Sequence, residues 1–262
     1  DIEDYGIEEF NMKARESVLR YADEWKKIIP RLGRFVDMED DYRTMDPSYS
    51  ETIWWIFKTL YDKNLIYEGY KSMHICPRCE TTLSNFEVTQ GYKDVTDISV
   101  SVKFELVDES PSTSSGQART YVLAWTTTPW TLPGNVALAI NPDIAYVEVE
   151  EEVPGNKYIL AKSRVEAVFK NNFKILKEFK GTDLIGKSYK PVFAYYANDP
   201  KLANKENGWK IYGADFVTIE DGTGVVHIAP AFGDDDLNLG REKNLPFIQH
   251  VNIDGKFKSE VK

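Results

Sequence analysis

Few of the signatures that assign a chain at a glance are present. The 262 residues contain no apolar run near the length needed to cross a bilayer. The first ten, DIEDYGIEEF, are acidic and have no apolar h-region, so no secretory signal is visible and no membrane partner is expected. The chain does not start with Met, which suggests a fragment or a processed form. There is no GxSxG elbow and no HExxH, so serine-hydrolase and zinc-hydrolase chemistry has no support. GxGxxG and GKT/GKS are missing too, and the lone GTG at 222–224 is a weak signal for phosphate binding. No internal repeat is seen. Cysteine is scarce: only Cys76 and Cys79, in CPRC. A two-residue gap is too tight for a comfortable structural disulfide in an irregular loop, so the pair reads as a redox couple or half of a zinc site. A thioredoxin-like role would need a βαβ context, which the flanking SMHI and ETTLSNFEV do not supply. His74 is a candidate third ligand at poor spacing. The expectation is half a zinc knuckle whose partner ligands lie outside this chain, against a reduced, metal-free turn.

Positive charge is also in deficit. The net charge of -10 disfavours a polyanion on average. The distribution is uneven, however. Nine Lys/Arg face three Asp/Glu between 156 and 190, whereas the first fifty residues carry thirteen acids and eight bases. A nucleic-acid partner would therefore be confined to one face; a solvated lysine-rich surface is the alternative. Hydrophobic content of 42% with 13% aromatics is that of an ordinary globular chain, long enough for one large domain or two small ones.

The pattern of apolar residues changes along the chain. In EEFNMKARESVLRYADEWKKII, Phe10, Ala14, Val18 and Tyr21 share a helical stripe that Pro30 ends. SYSETIWWIFKTLYDKNLIYEGY opens on cap-like Ser and Glu and continues through Ile53, Ile56, Phe57 and Leu60 at helical spacing. These two helices predict a stem. After CPRC the period becomes two: DISVSVKFELV alternates Ile98, Val100, Val102, Phe104 and Leu106 with polar residues, as a half-buried strand does. Ser110–Gln117 reads as a flexible hairpin loop or linker. Further strands are expected at RTYVLAWTTT, NVALAINP, AYVEVEEE, KYILA, KPVFAYY, WKIYGADFVTI and GVVHIAP, with a short helix at KSRVEAVFKNN. Many short strands and few helices predict an α+β fold with a closed or nearly closed β-barrel.

Two stretches could carry chemistry. In AWTTTPWTLPGN, Ala124 to Asn135, four threonines fall within six positions beside two tryptophans and two prolines. Strand alternation puts Thr126 and Thr128 on one face, and Thr127 on the other with Trp125 and Leu123. Pro129 ends the ladder, because it has no N–H to give. Thr131 and Asn135 then follow in an irregular turn. Hydroxyls beside a broken strand bind polar ligand atoms or position a water; threonine is also simply a good strand former. The second stretch is EDGTGVVHIAPAFGDDD, Glu220 to Asp236. His227 closes a strand, Pro230 and Gly233 break the chain, and Asp234, Asp235 and Asp236 open a helix. The acids suit a helix N-terminus and its dipole, or form an anionic hook for a substrate ammonium. A hydrolase built from these parts must act on an already labile ester, needing only a placed water and charge stabilisation.

Together these motifs resemble the editing (CP1) domain of isoleucyl-tRNA synthetases, over nearly the whole chain. AWTTTPWTLPGN is similar to that family's threonine-rich motif, and GTGVVHIAPAFGDDD to its second motif, a His followed nine residues later by an Asp. CPRCETTLSNFEV resembles the zinc-ribbon half before the domain, and GTDLIGKSYKPVF a barrel segment. Valyl and leucyl relatives usually continue the threonine segment with Arg-Pro-Glu-Thr; Pro129-Trp130-Thr131 points to the isoleucyl branch, in a eukaryotic, cytoplasmic style. HIGH and KMSKS are absent, so the expectation is an excised piece that cannot activate an amino acid. The resemblance implies a mainly antiparallel β-barrel surrounded by helices over 86–262, with a helical stem and half zinc knuckle over 1–85. It implies hydrolysis of Val-tRNA(Ile), with valyl-adenylate as a further candidate substrate. Asp236, Thr127 and Thr128 carry that reaction. Thr126, Thr131, His227, Trp125 and Asn135 bind substrate, with Trp125 equally suited to core packing. Within this set Asp236 holds the α-ammonium, His227 and Thr131 limit side-chain size, and the three consecutive threonines hold the terminal adenosine, the carbonyl region or the water. Cys76 and Cys79 supply half a structural zinc site in the longer enzyme, and editing itself needs no cofactor. The implied partners are the 3′ end of tRNA(Ile) and the rest of the synthetase. The rival readings are a non-catalytic tRNA-binding module and a valyl-type domain acting on Thr-tRNA(Val).

Overall fold

The computed structural model describes residues 2–107, 119–151, 155–170 and 173–261; the expected linker at Ser110–Gln117 lies outside them. Two compact units divide the chain, Asp1–Gly69 and Tyr70–Lys262. The first unit holds α1 (Ile2–Tyr5), α2 (Ile7–Arg31) and α3 (Pro47–Asp62). α2 carries the predicted stripe, and Pro30 falls in its last turn. The start of α3 differs from expectation. Asp46 is the N-cap and Pro47 the first helical residue, a position where a missing N–H leaves no bond unmade. None of these helices buries a residue, so Phe10, Val18, Trp54 and Trp55 remain exposed. Among the described residues no helix is long and apolar enough to cross a membrane.

The second unit opens with a small hairpin, β1 (Ile75–Cys76) against β2 (Thr81–Thr82), wrapped around the CPRC turn. Next comes α4 (Asn85–Gln90), where Ser84 and Glu87 form a capping box. The strands β3 (Val100–Glu105), β4 (Arg119–Thr126), β5 (Ala137–Ile140), β6 (Ala145–Glu151) and β7 (Asn156–Ala161) follow in order. After them come α5 (Val165–Phe169), β8 (Phe173–Lys180), β9 (Lys210–Gly213), β10 (Val225–Ile228) and α6 (Asp234–Glu242).

The strands form a five-stranded sheet, ordered β3-β4-β7-β6-β8, and a three-stranded sheet, ordered β10-β5-β9. Each sheet contains one parallel pair, β4 with β7 and β5 with β9. Isolated bridges from Tyr189 to Leu106 and from Ser188 to Lys210 splice the two sheets together along one edge. The expected antiparallel barrel is thus corrected: the sheets are mixed, and among the described residues they do not close. The physical reason is that alternation reports which face of a strand is buried, and carries no information about the direction of its neighbour. The strand expected over Lys190–Tyr196 is irregular. Conversely β8 was not anticipated, because its adjacent apolar residues Ile175 and Leu176 break the alternation and both stay exposed on this edge strand.

Three apolar clusters fix the layers. Phe104, Val122, Ala124, Leu138, Ile140, Ile211 and Val225 meet between the two sheets. Leu123, Val147, Tyr158 and Leu160 pack with Val165 of α5 on the other face of the larger sheet. Ala137, Ala139 and Ile228 pack with Leu239 of α6, Leu245 and Ile248 on the other face of the smaller one. β4 and β5 therefore contribute to clusters on both of their faces, which explains their near-continuous apolar runs. Each such fully buried aliphatic side chain contributes roughly 1.5–3 kcal/mol relative to exposure. The ends of β4 and β10 are in this way held on rigid layers.

Candidate active site

The threonine motif leaves the sheet where β4 ends at Thr126. Thr128 precedes a proline, which disfavours helical backbone at that residue, and its φ of -121° and ψ of 64° lie outside the helix. Pro129 then starts a 3₁₀ turn, Pro129–Gly134. The break is stitched by the motif's own hydroxyls. Thr126 Oγ1 accepts the Thr128 N–H at 3.0 Å and lies 3.2 Å from Thr128 Oγ1. Thr131 Oγ1 donates to the Thr128 carbonyl at 2.8 Å and lies 2.9 Å from His227 Nε2.

That last pair fixes a tautomer by counting protons. The single Thr131 hydroxyl hydrogen goes to the Thr128 carbonyl, so His227 must donate from Nε2 to Thr131 Oγ1. Nδ1 is then a bare acceptor, and among the described residues it has no partner. His227 is 7% exposed, and burial pushes its pKa down to about 4. The imidazole is therefore neutral at pH 7, a rigid wall rather than a charged one.

The second motif arrives from the other side. β10 ends at Ile228, and the turn Ala229-Pro230-Ala231-Phe232 closes with the Phe232 N–H donating to the Ala229 carbonyl at 2.9 Å. Gly233 is the N-cap of α6. Asp236, in the first turn of that helix, reaches back to accept the Ala229 N–H on Oδ1 at 2.7 Å. Burial raises the Asp236 pKa, opposed by the Ala229 hydrogen bond. Among the described residues no lysine or arginine pairs with it.

The two motifs meet across one cavity of about 140 Å³, lined by Trp125, Thr126, Thr128, Thr131, Val226, His227, Ala229, Phe232 and Asp236. Six of the candidate residues are thus brought together. Thr127 and Asn135 are not. Thr127 is exposed beside the cavity. Asn135 is buried in the scaffold, its Nδ2 donating to Ala137 O at 2.8 Å and its Oδ1 accepting from Tyr189 Oη at 2.6 Å. Trp125 reaches the cavity although alternation places it opposite Thr126; Gly222, at φ 67°, packs close against its ring. Sequence reasoning did not single out Val226, Ala229 or Phe232. Phe232 carried a faint signal, an aromatic between two chain breakers. Ala229 carried none, since its contribution is a backbone N–H.

Cys76 and Cys79 face each other across the CPRC turn. The backbone N–H groups of Cys79 and Arg78 hold the Cys76 thiol below its ordinary pKa, while its hydrogen bond to Cys76 pushes Cys79 up. This arrangement of amides around a sulfur suits a metal-bound thiolate. Among the described residues, however, no group of three or more His, Cys, Asp or Glu could hold a metal, and His74 does not complete one.

The family model for tRNA synthetases class I (I, L, M and V) matches residues 1–230. Isoleucine–tRNA ligase of Treponema denticola is 44% identical over 100% of this chain and 26% of its own length. That of Picrophilus torridus is 45% identical over 100% and 24%, and that of Clostridium acetobutylicum 46% over 99% and 24%. The chain spans about a quarter of the length of these relatives. They lend the eukaryotic branch no support. Among solved structures, GlLeuRS-CP1 is 17% identical, covering 55% of this chain and 59% of that one with a TM-score of 0.43. The P. knowlesi cytosolic leucyl-tRNA synthetase editing domain is 16% identical, covering 59% and 66% with a TM-score of 0.43. With its family model matched from the first residue to the strand-to-helix turn of the cavity, the chain belongs to the class I tRNA synthetases (I, L, M and V).

Proposed function

We propose that the cavity is a post-transfer editing site that hydrolyses the aminoacyl ester of Val-tRNA(Ile), with valyl-adenylate as a second substrate. The observation that carries this reading is the meeting of Asp236, a carboxylate with no cation partner among the described residues, with the hydroxyls of Thr126, Thr128 and Thr131 across one cavity. An α-ammonium is the natural complement of that carboxylate, and a charge-assisted hydrogen bond in a partly desolvated site is strong. The ammonium then fixes the ester carbonyl relative to the threonines. Thr126 and Thr128 hold the carbonyl region and the attacking water, and exposed Thr127 is left for the terminal nucleotide. Thr131 and His227, locked to each other, form the wall that limits side-chain size. Attack of water on the carbonyl carbon gives a tetrahedral oxyanion, and its collapse breaks the ester C–O bond to release valine and the tRNA ribose hydroxyl. A neutral His227 is a poor base at pH 7, so proton transfer is assigned to a free ribose hydroxyl of the tRNA end.

Such a site has a physical purpose. A pocket gains only about 1–3 kcal/mol from the one methylene that separates isoleucine from valine, a limit for which the isoleucyl enzymes are the standard illustration. A second pocket that admits valine and refuses isoleucine removes the resulting errors. The partners in this reading are the 3′ end of tRNA(Ile) and the rest of the synthetase, in the cytoplasm. The hydrolysis needs no cofactor, and the two thiols supply at most half of a structural zinc site elsewhere in the fold.

The test is one panel: deacylation of Val-tRNA(Ile), Ile-tRNA(Ile) and Thr-tRNA(Val) by this chain and its Asp236→Ala variant. Cleavage of the first alone, lost in the variant, is the expected result. Preference for Thr-tRNA(Val) would reassign the cavity to a valyl-type activity. Binding without any cleavage would make it a tRNA-binding module.

A further inference from the structure

Asp236 has two carboxylate oxygens with different neighbours. Oδ1 is engaged by the Ala229 N–H at 2.7 Å. Oδ2 lies over the Cα of Gly233, where a Cβ would meet it at 2.4 Å and the carboxyl carbon at 3.2 Å. Real Cβ atoms do not approach an oxygen so closely. Gly233 therefore leaves open the one space in which the second oxygen sits.

The backbone does not explain this glycine. Its φ of -156° and ψ of 148° are ordinary extended values that any residue adopts. A helix N-cap is served slightly better by Ser, Asp or Asn than by Gly, and Gly233 supplies no capping side chain. The position therefore forgoes a slightly better cap with no conformational need to do so. What an added methyl group would displace is the end of a short side chain, and the fold can tolerate that shift. The carboxylate cannot, if it is to keep both the Ala229 bond and its place in the cavity.

We infer that Gly233 is a positioning residue for ammonium recognition: its missing side chain seats Asp236 Oδ2 where a substrate ammonium is gripped. The inference rests on the editing reading above and adds a residue to it. It predicts that substitutions at 233 act through Asp236 and nowhere else.

The experiment compares two esters on this chain. One is Val-tRNA(Ile). The other is its deaminated counterpart, 2-hydroxyisovaleryl-tRNA(Ile), identical except for a hydroxyl in place of the ammonium. Each enzymatic rate is divided by the uncatalysed rate of the same ester, and the ratio of the two measures ammonium recognition. Four variants are compared with the unaltered chain: Asp236→Asn, Gly233→Ala, Gly233→Ser and the double Gly233→Ala/Asp236→Asn. Loss of a partly buried charge contact predicts a drop of about 30-fold or more in that ratio for Asp236→Asn. Gly233→Ala should show the same drop with little change in thermal midpoint, and the double variant should be no worse than either single one. Gly233→Ser separates positioning from helix capping. Its hydroxyl improves the cap, but its Cβ blocks the same space, so its ratio should fall as far as that of the alanine variant. Recovery of the ratio by serine, or an unchanged ratio in Gly233→Ala beside a collapsed one in Asp236→Asn, would overturn the inference alone. An unchanged ratio in Asp236→Asn would overturn the editing reading itself, and this inference with it.

Discussion

His227 makes the second unit acid-sensitive by an amount that follows from its surroundings. An ordinary histidine protonates near 6.5; burial brings this one down to about 4. In the unfolded chain the ordinary value returns. The unfolded state therefore binds the proton first as pH falls, and stability is lost across the window between 6.5 and 4. At about 1.4 kcal/mol for each pH unit, the loss reaches about 3 kcal/mol at the acid end. Against a typical total of roughly 5–15 kcal/mol that is a large share. Carboxylates titrate in the same window, so the contribution has to be isolated by difference. His227→Gln is the suitable variant, because its amide nitrogen can keep donating to Thr131 Oγ1 while nothing titrates. Urea unfolding of both proteins at several pH values should give a stability difference that narrows by about 3 kcal/mol between pH 7 and pH 4. Proton NMR supplies a direct check, since the chain has only three histidines. The Cε1–H resonance that disappears in His227→Gln should stay flat from pH 8 to about pH 5. A midpoint for that resonance near 6.5, or a stability difference independent of pH, would refute the argument that His227 is desolvated and neutral.

Two further outcomes are expected. Tyr189→Phe removes the hydroxyl that donates to Asn135 Oδ1, leaving a buried acceptor without that partner. Urea unfolding should show a loss of about 1–3 kcal/mol, and a loss below about 0.5 kcal/mol would mean that water replaces the bond. Asp236→Asn should raise stability at pH 7. The raised folded pKa means that the ionised carboxylate disfavours the fold at pH above that value, a penalty relieved as pH falls toward 3.8, and the amide oxygen can still accept the Ala229 N–H. A lower urea midpoint for the variant at pH 7 would show that the carboxylate stabilises the fold instead.

Much of this site was legible because it consists of side chains whose chemistry is visible in a one-dimensional string. The break at Pro129 follows from a missing N–H, and the sharing of a face by Thr126 and Thr128 follows from the pleat. The helix at Asp234 followed from its acids and breakers. What stayed hidden has a common cause. Asn135 looked like a ligand-binding amide, yet both ends of it are used by Ala137 and Tyr189, the latter fifty-four residues away. Local sequence does not disclose a distant partner. Sheet direction was lost for the same reason: the parallel pairs β4–β7 and β5–β9 depend on crossovers, whereas alternation records only burial. The backbone donor at Ala229 has no side-chain signature at all, and Gly233 was visible only as a chain breaker.

The chemistry of the cavity is held in tension by these same hidden contacts. A carboxylate moved out of water seeks a cation or protonates, and Asp236 has no cation among the described residues. The backbone N–H groups of Ala229 and of Asp236 itself bond the carboxylate and oppose the rise in pKa without cancelling it. Opposite, the neutral His227 and the spent hydroxyl hydrogen of Thr131 offer the carboxylate no charge. The free protein therefore holds a partly buried carboxylate, with no cation among the described residues, at one end of a cavity whose other walls are hydroxylic, apolar or the neutral imidazole. A cationic ligand removes that deficit on binding, and a neutral ligand of the same shape does not. In the editing reading proposed above, selectivity for an ammonium follows from what the fold withholds from Asp236 as much as from the carboxylate itself. Any variant that supplies a lysine or arginine within reach of Oδ2 should stabilise the fold and abolish recognition together.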